Sequence, residues 1–91
     1  MYTVYDLQGN VITTTERDSI FAKFIDMDLS NADFRNAELR YAMFIRCKVD
    51  GADFRGADLL AGYIVRTDFK KAITDRTTKM PAPQPYTHGF M

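Results

Sequence analysis

Residues 22–70 read AKFIDMDLSNADFRNAELRYAMFIRCKVDGADFRGADLLAGYIVRTDFK. A large apolar side chain returns at every fifth position: Phe24, Leu29, Phe34, Leu39, Phe44, Val49, Phe54, Leu59, Ile64 and Phe69. Two places before each stands Ala22, Met27, Ala32, Ala37, Ala42, Cys47, Ala52, Ala57, Gly62 or Thr67, most of them small. These are ten consecutive five-residue units with no insertion. On an α-helix five residues advance by about 500°, so the set would spread around the cylinder and form no stripe. On a strand five is odd, so consecutive members would point to opposite faces. The stretch NAELRYAMFIRCK (36–48) is rich in helix formers, but the period overrules local propensity. Such a chain must bend every five residues and turn each short side toward a shared axis. A unit too short to bury its own core has to stack on copies of itself, which is the logic of a solenoid.

The runs NADFRNAELR (31–40) and GADFRGADLLAG (51–62) resemble the pentapeptide-repeat family, whose unit is roughly Ala-(Asp/Asn)-(Leu/Phe)-X-X. The resemblance is clear over residues 22–71 and weaker over 72–76, where Thr74 stands in the large position. It implies an all-β fold, a right-handed quadrilateral (four-sided) β-helix solenoid with one unit per side and four per coil. Ten units then give about two and a half coils. Residues twenty apart would stack at about one strand spacing, ~4.8 Å. The core is expected to resolve into four columns: Phe24, Phe44, Ile64; Leu29, Val49, Phe69; Phe34, Phe54; and Leu39, Leu59. Offset packing suits the stacked rings of the first and third columns.

The ends carry different patterns. Residues 1–21 read as an N-terminal β-hairpin cap and link: YTVYDLQGNVI (2–12) has Gly9-Asn10 as its positive-φ turn. An open coil end exposes apolar side chains and backbone groups, so the hairpin is expected to lie over the first coil. There Val4, Val11 or Ile12 would pack near Phe21 and Phe24. Residues 22–76 form the repeat. Residues 77–91 form a C-terminal tail, in which Pro81, Pro83 and Pro85 favour extended backbone. Because the tail also holds Tyr86, Phe90 and Met91, it is expected to strap along the solenoid rather than hang free.

Ninety-one residues with 46% hydrophobic content make one small domain. Twelve basic and twelve acidic residues cancel, so net charge gives no reason to expect nucleic-acid binding or a strongly acidic mimic. Met1 to Asp6 does not read as a secretory leader, and the longest apolar run, residues 59–65, is too short to span a membrane. A cytoplasmic location is the expectation. The single cysteine, Cys47, falls at a small inward position and is expected to be a buried free thiol. Asp28, Asp33, Glu38, Asp53, Asp58 and Asp68 occupy the second place of their units, where a side chain can bond the turn backbone beside a basic neighbour. His88 is the only histidine, so no histidine-based triad or zinc site can be assembled. No phosphate-binding glycine loop is present. The expectation is no catalysis, no cofactor, no metal and no small-molecule substrate.

Function is expected to reside on the outer faces. The side built from 22–26, 42–46 and 62–66 places Ile25, Ile45 and Val65 in one outward column and Met43 and Tyr63 in the next, rimmed by Arg46, Arg66 and Asp26. A contiguous apolar patch marks a surface that becomes covered, by the hairpin, by the tail or by another chain. The reading is a non-enzymatic protein–protein interaction module that binds a protein partner or itself, a homodimer included. The alternative is a small blocking or DNA-mimic inhibitor of a nucleic-acid enzyme, such as gyrase or a host defence nuclease, of a kind a phage would encode. The resemblance suggests that alternative, since the family includes gyrase-protecting DNA mimics, and the neutral net charge counts against it.

Overall fold

The computed structural model describes residues 1–82. Two sheets are present among them. Strands β1 (Tyr2–Tyr5) and β2 (Val11–Thr15) form an antiparallel hairpin, whereas β3 (Lys23–Ile25), β4 (Met43–Ile45) and β5 (Tyr63–Val65) form a parallel sheet in that order. The parallel register is twenty residues: Phe24 lies beside Phe44 and Phe44 beside Ile64. The same step recurs in single bridges between Asp28 and Lys48, Asp33 and Asp53, Glu38 and Asp58, and Asp53 and Ile73. Four stations therefore recur in each twenty-residue lap, one for every five-residue unit.

The bends that separate the stations are written in the backbone. Residues 21, 26, 31, 36, 41, 46, 51, 56, 61 and 66 all have positive φ, from 49° at Arg66 to 77° at Gly56. At most of these corners the residue after the bend donates its N–H back across the turn, as Ala32 does to the Leu29 carbonyl (3.1 Å) and Ala57 to that of Phe54 (2.9 Å). A left-handed residue at the third position of such a turn is the type II geometry. Asparagine and glycine tolerate it, and Asn31, Asn36, Gly51 and Gly56 take four of the ten corners.

Second-position residues decide how each station is built. Where it is aspartate, the carboxylate accepts the N–H two residues on, from Ser30, Arg35, Arg55, Leu60 and Lys70. The chain then bends at once and leaves only a bridge. Where it is Lys23, Met43 or Tyr63, no such bond forms, and β-branched Ile25, Ile45 and Val65 extend the backbone into three-residue strands.

All ten fifth-position residues are buried, Phe69 the most open at 5%. Phe24 stacks on Phe44 (centroids 4.9 Å) and Phe34 on Phe54 (4.8 Å), while rings of the two columns meet edge to face, as Phe34 and Phe44 do at 5.9 Å. Both arrangements suit the ring quadrupole. Alanines at the other inward place leave room for these rings. Gly62 goes further, since a Cβ there would lie 2.5 Å from the Ala42 carbonyl oxygen.

The hairpin lies on the first lap. Asp6 bridges Ala32 in antiparallel sense, Leu7 N–H donates to the Asn31 carbonyl (2.9 Å), and Asp33 N–H donates to that of Tyr5 (2.7 Å). Its loop is closed by the Asp6 carboxylate, which accepts the N–H groups of Gln8 and Asn10, with Gly9 at φ 88°. Val4 is buried and Tyr2 and Ile12 pack against the core. Val11 does not join them and is 61% exposed, because strand alternation turns it away when Ile12 faces inward. Phe21 also points outward and stacks on Tyr41.

Beyond Phe69 the period slips. A short 3₁₀ turn (Phe69–Lys71) leads to Ile73, still twenty from its partner Asp53, but Lys79 pairs with Asp58 at twenty-one. The extra residue sits in the TDRTTK stretch, where Asp75 accepts the Thr77 N–H and the Thr78 hydroxyl donates to the Phe54 carbonyl (2.9 Å). Thr74 is exposed, and Met80 packs against the core. The strap expected from Tyr86, Phe90 and Met91 lies outside the described residues.

Candidate interaction surface

The three-stranded sheet carries the apolar face. Phe24, Phe44 and Ile64 point into the core, so their neighbours point out. Ile25 is exposed, and Ile45, Val65, Met43 and Tyr63 are half-buried. Parallel pairing aligns Ile25, Ile45 and Val65 as one column, and Met43 and Tyr63 as the column beside it, continued by exposed Lys23. The hairpin rests on residues 31–33, at a different station, and Ile25 keeps 39% of its surface in solvent.

Each border of the face is a corner column. On one, Arg46 grips the Asp26 carboxylate through Nε (2.6 Å) and Nη2 (3.0 Å), across one strand spacing. Those hydrogen bonds hold the Asp26 carboxyl below the usual carboxylate range. Arg66, one lap further, makes no ion pair among the described residues. On the other border Phe21 and Tyr41 stack at 4.9 Å with planes 12° apart, both about half exposed. Both adopt left-handed backbone, at φ 70° and 62°, and Ala61 completes the column at 60°. Along the chain Phe21 closes the N-terminal link and Tyr41 closes the unit 37–41. Their twenty-residue separation was the signal that joined them.

Elsewhere the charges are spent internally. Arg35 forks onto Asp33 (2.9 Å to each oxygen) and Arg55 onto Asp53, whose side chain is only 2% exposed. Hydrogen bonds from these arginines lower both carboxyls, against the opposing effect of desolvation. Desolvation is the largest influence on Asp58, yet bonding from Arg40 (2.7 Å) and the Leu60 N–H still brings its carboxyl down. No side presents an uninterrupted row of bare carboxylates among the described residues.

Cys47 is buried, and burial pushes its thiol up. Its Sγ donates to the Phe24 carbonyl (3.1 Å), and its N–H donates to Thr67 Oγ1 (3.1 Å). Thr67 and Cys47 thus bond the backbone at the corner column following the strands, where no carbonyl turn bond is made. Among the described residues no three His, Cys, Asp or Glu side chains gather as a metal site. His88 lies outside those residues. No helix of the described residues is long and apolar enough to cross a membrane.

The model of the pentapeptide repeats matches residues 20–56 in eight copies. No curated protein and no solved structure matches the chain. Members of that family are generally non-enzymatic interaction or structural modules with a β-helix-like all-β fold. The family match, the unbroken five-residue period and the twenty-residue ladder identify residues 20–56 as pentapeptide repeats.

Proposed function

We propose that the protein is a non-enzymatic interaction module whose rigid apolar side, centred on Ile45, docks against a protein partner or a second copy of itself. The scaffold in this reading is a closed, right-handed, four-sided coil of about two and a half turns, consistent with four stations per lap. One observation carries the reading. Ile25, Ile45, Val65, Met43 and Tyr63 form a continuous outward patch on the three-stranded sheet, and the hairpin rests elsewhere. Arg46, Asp26 and Arg66 supply the polar rim that an interface carries. The module works in the cytoplasm, without cofactor, and nucleic acid is not its partner. Paired acids argue against the DNA-mimic inhibitor of gyrase or a defence nuclease, since Asp33, Asp53 and Asp58 are each neutralised by an arginine.

Sedimentation of the wild type and of Ile45→Asp tests this. A half-buried outward aspartate leaves the inward columns intact, so the variant should fold and lose binding. Burying each aliphatic side chain contributes roughly 1.5–3 kcal/mol, so one central loss is measurable. Equal behaviour of two stable proteins toward self and partners would sink the reading.

A further inference from the structure

Resting on that reading, we infer that the apolar face pairs with a second copy of this chain by half a turn about an axis parallel to the strands, through Ile45. This operation reverses the order of the laps and keeps each column opposite itself. It sets the first lap of one protomer against the third lap of the other.

Three columns favour this partner. On the charged border, Arg66, without an ion pair of its own among the described residues, comes opposite Asp26 of the other copy, a carboxylate engaged from one side by Arg46. On the aromatic border, Phe21 comes opposite small, exposed Ala61, and Tyr41 meets its own copy on the axis. The large-large-small order of that column is thereby complementary to its reversal. In the middle, Ile25 meets Val65 and Ile45 meets Ile45. The other twofold axis, along the stack, would place Phe21 against the Asp26–Arg46 pair and the Lys23 ammonium against aliphatic Ile25, and would bring no opposite charge to Arg66. In the chosen arrangement Lys23 comes opposite Tyr63 of the other copy at the end of the face, where its stem covers the ring and its ammonium reaches solvent.

Backbone geometry adds a separate reason. A left-handed conformation is penalised for a residue that carries a Cβ, yet exposed Phe21 and Tyr41 both adopt it. Asn and Gly solve the same problem at four other corners. Every corner shares this backbone, so what sets Phe21 and Tyr41 apart is their large, solvent-facing rings, the kind of group an interface buries.

Three laps about one strand spacing apart, and four columns wide, offer only about 200–300 Å² per protomer, well under the ~800 Å² of a standard interface. The dimer is therefore weak and reversible.

The test is a concentration series by sedimentation from about 10 μM to about 1 mM, joined to cross-linking. A bismaleimide spanning about 10 Å, the separation of facing sheets, should join an Ile25→Cys protein to a Val65→Cys protein in a mixture. It should also join Ile45→Cys to itself, and leave Ile25→Cys alone uncoupled. Buried Cys47 makes the wild type its own blank. Arg66→Asp should weaken association about three- to tenfold, as loss of a rim charge pair does. A wild type that stays monomeric at 1 mM overturns the inference. Self-coupling of Ile25→Cys without Ile25–Val65 coupling also overturns it, but a dimer still abolished by Ile45→Asp would then preserve the apolar-face reading. Retained hetero-partner binding through Ile45 would preserve that reading in a monomer.

Discussion

At the scale of the residue, the corner position decides what a substitution does. Ala61 is exposed at φ 60°, where its Cβ is penalised and a glycine is at ease. Ala61→Gly should stabilise the protein by about 1 kcal/mol. Gly51, at φ 71°, sits where a Cβ would come 2.5 Å from Asn31 Oδ1 in the lap below. Gly51→Ala should therefore destabilise by at least about 1–2 kcal/mol, combining left-handed strain with a displaced asparagine. Denaturant titration of the two variants checks the pair. Opposite signs are expected for two changes between the same residue types, and equal signs would refute the corner argument.

At the scale of the element, the hairpin is a lid joined to the first lap by backbone. Its β1 strand continues into the Asp6–Ala32 bridge, and Val4 enters the core. Without it, Asn31 and Asp33 lose their backbone partners and the apolar end of the first lap meets water. Deleting residues 1–18 should lower the melting temperature sharply or cause aggregation in a light-scattering assay; an unchanged melting curve would refute the lid. The parallel sheet differs in kind. It exists because one side in four lacks the second-position aspartate, so the feature that lengthens the strands also strips polarity from the outer face.

At the scale of the molecule, the arginine–aspartate pairs give stability a pH dependence of definite sign. Asp26, Asp33, Asp53 and Asp58 are all held below the usual carboxylate range in the fold. The unfolded chain titrates near the ordinary value of about 3.9, so above that pH the pairs contribute fully. As pH falls through the depressed folded values the unfolded state binds protons first and the contribution is lost. The melting temperature should be flat from about pH 7 to about pH 5 and should fall below about pH 4. Raising salt at pH 7 should cost little at Asp53, which is almost wholly shielded, and more at exposed Asp26. Melting of Asp53→Asn and Asp26→Asn across salt concentrations separates the two.

Phe24, Leu29, Phe34 and their successors were readable as a core from the sequence alone, because a five-residue period is compatible with a bend at every unit and with neither helix nor strand. The second-position aspartates were readable as turn-bonding groups for the same local reason, since an Asx contact spans only two residues. Phe21 and Tyr41 were not legible as one feature. They belong to different units and meet only because twenty residues return the chain to the same corner. The open coil end placed the hairpin over the first lap, but not at a station of it, since its residues suit several until Leu7 and Asp33 choose their backbone partners. The slip between Ile73 and Lys79 likewise follows from where Thr78 finds the Phe54 carbonyl. Local period sets what must be buried, because it depends only on neighbours along the chain. Which outer groups meet, and which remain uncovered, depends on contacts between laps, and these exist only once the chain has folded.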